Sequence, residues 1–212
     1  MIRKWLLFLL TIQIAFVYGA NAKKIVKNFI KSYEDAPYIH ISYQEKIELS
    51  LTGNVIVKKG YTIFSRENNV FRIENDDQIV AMDGTNFYRL NKIQNQLTID
   101  YVKKNDDFFL FRSLFQEPEK YFYLDIISET KIEKKKVYVL KLTPKEDTNQ
   151  LFSSIKIWLI DKSNQIVKME VQDLNDNITT YEILDIQKNK SVEKKLFQIE
   201  TLPEYEVIDL RL

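Results

Sequence analysis

The sequence predicts a mainly β protein: one curled antiparallel sheet of about 11 strands with two short helices. Three observations predict it. Apolar and polar residues alternate in run after run, beginning with Ile39 to Leu51. Turn-forming residues separate these runs at short intervals, which implies hairpins in a meander. The strand–helix alternation that a parallel nucleotide-binding sheet requires is missing. A twisted sheet of that size curls or closes rather than staying flat.

The first segment is a targeting signal by pattern. Arg3 and Lys4 precede WLLFLLTIQIAFVYG, a stretch of 15 residues without charge, and then ANA with small residues at Ala20 and Ala22. This is the order of a secretory signal peptide, cleaved after Ala22. The stretch is shorter than the roughly 20 residues that span a bilayer. The expected domains are therefore a signal peptide, 1–22, and a single exported domain, 23–212.

Helical spacing follows. Ala22, Ile25, Val26, Phe29, Ile30 and Tyr33 recur every three or four residues, and Ala36-Pro37 ends the pattern. Period two then takes over. Ile39, Ile41, Tyr43, Ile47, Leu49 and Leu51 occupy odd positions, with Glu45 as the one polar exception, and every even position is polar. Such a strand has one wet and one apolar face. The only histidine, His40, belongs to the wet set.

The runs NVIVKK, YTIFSRE, VFRIEN, QIVAMD, NFYRLN and QLTIDYV come next. They are separated at Gly53, Gly60, Asn68-Asn69, Asp76-Asp77, Asp83-Gly84 and Asn91. Asp83-Gly84 predicts a type I′ corner, in which both central residues have positive φ. Around it, Ile79, Ala81, Phe87 and Arg89 share one parity, and Val80, Met82, Tyr88 and Leu90 the other. DDFFLFRSLF (106–115) interrupts the strands with an acidic start and a very apolar body, which predicts a short helix. The strands then resume as YFYLDIIS, KKKVYVLKLTP, SSIKIWLID, QIVKMEVQD, ITTYEILDI, LFQIETLP and EVIDL.

Composition excludes several chemistries. There is no cysteine, so thiolate nucleophiles, disulfides and cysteine-based zinc sites are out. It also removes the cysteine that a lipid-anchored protein carries directly after its signal. One histidine on a wet strand face leaves no Ser-His-acid triad. Four unclustered glycines exclude a phosphate-binding loop. The acid pairs Asp76-Asp77, Asp106-Asp107 and Asp173 with Asp176 lack the alternating spacing of a calcium loop, and each sits where a turn or helix start is predicted. No enzyme, metal or cofactor is expected.

Nucleic acid is excluded by charge. Of 31 basic and 30 acidic residues, removal of 1–22 takes two basic ones, leaving 29 against 30. Lys134-Lys135-Lys136 reads as a solvated turn. What remains is binding. Aromatic residues make up 13% of the chain, enough to fill a core and line an apolar cavity. Such a cavity holds acyl chains by burying CH₂ groups, at about 0.8 kcal/mol each.

The order of segments resembles the LolA family of periplasmic lipoprotein carriers. ISYQEKI is similar to that family's Phe-x-Gln strand. GNVIVKKGYTIFSRENNVFRIE is similar to its glycine, apolar-basic strand and basic-proline turn. QIVAMDGTNFYRLN resembles its Asp-Gly hairpin with an aromatic pair, and LFQIETLPEYEVIDL its closing segment. The resemblance implies an incomplete β-barrel capped by helices. It also implies a monomeric carrier that takes acylated lipoproteins from an inner-membrane ABC-type exporter to an outer-membrane acceptor. The cavity and lid would include Tyr43, Leu49, Val57, Phe71, Ile73, Phe87, Phe108, Phe111, Leu114 and Trp158. The family's arginine-proline pair is replaced here by Lys58-Lys59-Gly60, so its lid and transfer role falls on Lys59, which lacks the planar guanidinium fork. Glu204-Tyr205-Glu206-Val207 lacks the family's glycine. These departures leave room for a divergent homologue with another lipid cargo; the alternative reading is a periplasmic lipid or lipoprotein-binding sensor or regulatory module on the same half-barrel.

Overall fold

A computed structural model describes residues 21–65, 67–102, 113–115, 117–145 and 152–211. Most of the predicted signal peptide and much of the predicted 106–115 helix, including Phe108 and Phe111, lie outside the described residues.

The protein is mainly β. Twelve strands form one sheet in the order β12-β6-β5-β4-β3-β2-β1-β11-β10-β9-β8-β7, unclosed, with β12 and β7 at its ends. They are β1 Tyr38–Glu48, β2 Val55–Ser65, β3 Phe71–Asn75, β4 Gln78–Met82, β5 Asn86–Asn91, β6 Gln96–Tyr101, β7 Phe122–Ile132, β8 Lys135–Pro144, β9 Phe152–Ile160, β10 Ile166–Asp173, β11 Ile178–Asn189 and β12 Glu206–Asp209. Helical residues are 21–31 (α1), 113–115 (α2) and Pro118–Tyr121 (α3), with a 3₁₀ turn at Lys194–Phe197. None of the described helices is long and apolar enough to cross a membrane.

Three expectations change. Gly60 does not separate two strands, because β2 runs unbroken through it. LFQIETLP is not a strand: Leu196 and Phe197 close the 3₁₀ turn, and irregular chain continues to β12. β12 pairs in parallel with β6, Val207 opposite Leu97, where a pure meander would give an antiparallel neighbour.

The chain divides into two compact units. One contains Glu48–Asn54 and Glu117–Thr180 together with the N-terminal part up to Ser32. Its strands β7 to β10 share an apolar face on which Leu124, Leu142 and Ile155 lie opposite one another, as do Leu140, Ile157 and Met169. Helix α1 buries Ala22, Val26 and Phe29, the predicted stripe.

The other unit contains Tyr33–Ile47, Val55–Gln116 and Tyr181–Leu212. Pairing sorts its side chains onto two faces. Ile79, Ala81, Tyr88, Leu90, Leu97 and Ile99 form one apolar cluster, against which Ile199 and Tyr205 pack. The segment from Lys194 onward thus lies over this face. Phe197 stacks on Tyr38 at 6.1 Å, and Arg72 Nη1 donates to the Leu196 carbonyl at 3.2 Å. On the same face Arg72 and Lys92 both pair with Glu74 at 2.8 Å, and the Tyr61 hydroxyl donates to Glu74 at 2.8 Å.

Candidate functional site

The opposite face of this second unit is the candidate ligand-binding surface. Its construction starts with β1, whose odd positions are buried from Ile39 to Glu45, as the alternation predicts, and whose even positions are half-buried rather than wet. Tyr43 lies at its centre, 2% exposed, with its ring 5.1 Å from that of Tyr181 in an edge-to-face arrangement. Burial, and secondarily the Glu45 carboxylate, pushes the Tyr43 hydroxyl well above its ordinary pKa.

Gly60 makes room for that ring. A Cβ at position 60 would lie 2.9 Å from Tyr43 Cε2 and 2.7 Å from the Glu74 carbonyl oxygen. Only glycine lets the β2 backbone and the tyrosine ring approach this closely. Two and four residues on, Thr62 and Phe64 point the same way, and both are fully buried. Across the ladder they meet Ile73 and Phe71, and beyond these Val80 and Met82, and then Phe87 opposite Met82. Phe71 and Phe87 contact edge-to-face at 6.3 Å. The far side of Phe64 meets Phe115 at 5.4 Å, and Phe115 meets Tyr33 at 5.1 Å. Desolvation raises the Tyr33 hydroxyl to about 12. Lys188 lies over the Tyr33 ring at 4.7 Å.

This face brings together four of the residues singled out from sequence: Tyr43, Phe71, Ile73 and Phe87. Leu114 is buried beside Phe115 in α2. Others lie elsewhere. Leu49 sits in the β1–β2 turn, where its carbonyl accepts from Gly53 N–H at 2.8 Å. Val57 is 55% exposed, and by alternation it and Lys59 share the side of Tyr61 rather than that of Phe64. Lys59 donates its backbone N–H to Asp76 at 3.3 Å, while its neighbour Lys58 pairs with Asp77 at 2.6 Å. Trp158 belongs to the first unit. It stands opposite Val139 and Lys168 with the Lys168 ammonium 4.5 Å above its ring, on the side away from Leu140 and Ile157.

The sequence reading leaves Phe64, Thr62 and Phe115 out of the cavity set and offers Val80 and Met82 only as one of two alternative parities. For the hairpin the cause is register. Opposite residues in the β4–β5 hairpin are Ile79 with Leu90 and Val80 with Arg89, so each face draws odd numbers from one strand and even from the other. Grouping by number alone mixed the two faces. Reading β2 as one strand through Gly60 would have joined Thr62 and Phe64 to Tyr43.

Among the described residues the acid pairs sit at turns, as does the corner residue Asp83; Asp106-Asp107 lies outside the described residues. Asp83 Oδ1 accepts from Thr85 and Asn86 N–H at 3.0 and 2.8 Å, and Asp173 Oδ1 from Asn175 and Asn177 N–H at 2.8 and 2.9 Å. For Asp83 these bonds outweigh desolvation and hold the carboxyl below the usual range; for Asp173 the Asn177 side-chain amide, donating to Oδ2 at 2.8 Å, lowers it most. Asp76 and Asp77 take the contacts to Lys59 and Lys58 described above. His40 packs edge-to-face on Tyr61 at 5.2 Å, on the face beneath the C-terminal segment.

Comparison with known proteins identifies the architecture. An uncharacterized conserved protein from Thermus thermophilus superposes with a TM-score of 0.56 at 8% identity, covering 89% of this chain and 99% of its own, and it shares the fold. A LolA superfamily protein, NE2245 from Nitrosomonas europaea, gives 0.43 at 9% identity, covering 84% and 97%. MucB in the Pseudomonas aeruginosa MucA/MucB complex gives 0.38 at 11%, covering 89% and 63%. No sequence among curated proteins matches. A family model described as "Outer membrane lipoprotein carrier protein LolA" matches residues 50–200, more than half of the chain. The chain belongs to the LolA family.

Proposed function

We propose that the protein binds the acyl chains of lipoproteins on the apolar face of β1 to β5 and carries them through the periplasm, from the inner to the outer membrane. The observation that supports this reading is the face itself. Ile39, Ile41, Tyr43, Phe64, Phe71 and Met82 form a run of large apolar side chains on one side of four successive strands, which Phe87 extends to β5. Burial is nearly complete at Phe64, Phe71 and Met82, and Ile73 and Phe87 on the same face are half-buried. Such a surface recognises hydrocarbon by area and not by directional bonds. It suits cargo whose shared feature is the acyl chain.

The wider reading keeps the parts that the family implies. The signal peptide at 1–22 delivers the protein to the periplasm. An inner-membrane ABC-type exporter supplies the cargo, and an outer-membrane acceptor receives it. Lys59, exposed beside the Asp76–Asp77 turn, is the cation available for a partner surface in place of the family's arginine. No catalytic step is part of this role.

Native mass spectrometry of the protein purified from the periplasm under non-denaturing conditions tests it. The expected result is a fraction of the protein carrying an acylated polypeptide. Protein bound only to a signalling protein's periplasmic segment, with no acyl cargo, would favour the sensor reading and count against the carrier.

A further inference from the structure

Strand β2 outruns its neighbour. It has 11 residues where β3 has 5, and their pairing ends with Gly60 opposite Asn75. From Val55 to Lys59 the strand keeps β1 on one side and, among the described residues, has no strand on the other. Both hairpin ends fix the phase of its hydrogen bonds. Ser65 N–H donates to the Val70 carbonyl at 3.1 Å, so odd-numbered residues of β2 turn their N–H and C=O towards β3. Leu49 N–H donates to the Asn54 carbonyl at 2.9 Å, so even-numbered ones turn theirs towards β1. Val55 and Val57 therefore each present an N–H and a C=O along an open edge. Lys59, the next in phase, gives its N–H to the Asp76 side chain instead.

The side chains there are equally uncommitted. Val55, Ile56 and Val57 are 52%, 40% and 55% exposed, three β-branched residues in succession that the core does not use. Such an edge is ordinarily blunted by a proline or a charge. Neither interrupts Val55–Val57, and the nearest charge, Lys58, is paired with Asp77. Alternating donors and acceptors on a β-branched strand match one kind of partner, an extended chain added to the sheet.

Position and direction select that chain. By alternation Ile56 points to the side of Gly60, Thr62 and Phe64, so the open edge continues the acyl-binding face. A guest strand antiparallel to β2 takes the direction of β3. Its N-terminus then lies beside Lys58 and Gly60, where the Tyr43 ring packs, and its body runs out past Val55. The cargo proposed above is acylated directly after its signal peptide, at its mature N-terminus. Antiparallel addition thus delivers the acyl chains to the apolar face and leads the polypeptide away from it. A second copy of the chain fits less well, because self-pairing about Val57 sets Val55 against Lys59, whose N–H is already taken.

We infer that the open edge of β2 at Val55–Val57 binds the extended N-terminal segment of the acylated polypeptide by strand addition, antiparallel to β2. This inference rests on the acyl-binding reading above and adds the peptide part of the cargo to it.

The test uses the purified mature protein and an N-palmitoylated hexapeptide of alternating threonine and valine. Amide hydrogen exchange by NMR reads the edge directly. In the free protein Ile56 N–H, bonded to β1, should exchange slowly and Val57 N–H fast, and the peptide should slow Val57 about tenfold or more. In displacement of an apolar fluorescent dye, the same peptide N-methylated at every valine and threonine should bind about tenfold more weakly, having lost its donors. Val57→Pro removes an outward N–H and no bond to β1. It should weaken the unmethylated peptide about fivefold and leave the N-methylated one unchanged. Equal binding of the two peptides with no slowing at Val57 would overturn the edge site and leave the acyl-binding reading standing. An acetylated hexapeptide that binds as tightly as the palmitoylated one would overturn the assignment to acylated cargo. A dimer in sedimentation that Val57→Pro dissociates would overturn it in favour of a second copy. Failure of the wild type to bind dye or any palmitoylated peptide would overturn the acyl-binding reading, and the site with it.

Discussion

Asp83 shows how a residue that resembles a reactive carboxylate becomes a structural one. Its carboxyl accepts from Thr85 and Asn86 N–H, from the Tyr88 hydroxyl at 2.9 Å and from Gln198 at 3.2 Å. It therefore closes the β4–β5 corner and tethers the C-terminal segment to it. The corner itself is not the type I′ turn that Asp-Gly predicts. Gly84 has φ +96°, while Asp83 is not among the positive-φ residues. The pair with two positive φ values is Glu133-Lys134, at +47° and +66°, joining β7 to β8. Neither residue there signals such a turn, so the hairpin is imposed by strand pairing rather than by local preference.

Because Asp83's carboxyl is held below its ordinary value, it stabilises the fold above that value, and the contribution is lost as pH falls through the depressed native one. Asp83→Ala should destabilise the protein by about 2 kcal/mol at pH 7. The difference from wild type should shrink in acid, as read by urea denaturation at pH 7 and below pH 3.8. A pH-independent difference would mean the hydrogen bonds are not charge-assisted.

At the scale of elements, β1 and β3 to β11 were readable as short apolar or alternating runs set off by turn residues, with β4 (QIVAM) a continuous apolar run. The pattern misled where one residue type served a different purpose. Gly60 looked like punctuation but is a contact surface for the Tyr43 ring. LFQIETLP alternates like a strand, yet Phe197 is buried against Tyr38 and Ile199 packs on the β4–β6 cluster, so its apolar residues serve as anchors for an irregular strap. Only the sheet it covers gives that pattern its meaning. The strap then delivers β12 to the free edge of β6, which protects that edge from pairing with other chains. Phe197→Ala should cost about 3 kcal/mol. In hydrogen exchange it should open 194–209 well before β1 to β5. Equal opening of the whole unit would show that the strap and the sheet fold as one.

For the whole molecule, the connection that organises the sheet is the one least visible in the sequence. β1 lies between β2 and β11, so the chain leaves β6 near one end of the sheet and resumes with β7 at the other. Strand count and class were legible from periodicity, but this jump is a long-range choice that no local pattern encodes. The same holds for the candidate site. Tyr43, Phe71, Ile73 and Phe87 could be chosen as aromatic or branched residues on strands, but their common face depends on register. Glu45 was visible as the single break in an alternating run, and its partners Asn75 and Tyr181 appeared only with the fold.

The central claim is that this face holds acyl chains for transport. It is tested most directly by incubating inner-membrane vesicles bearing labelled lipoproteins with the mature protein and ATP, and measuring label released in soluble form. Wild type should release lipoprotein. Phe87→Asp, which introduces a charge at a half-buried position of the face, should reduce release at least tenfold while the folded state persists by circular dichroism. Release that is absent with wild type, or undiminished by the aspartate, would contradict the account.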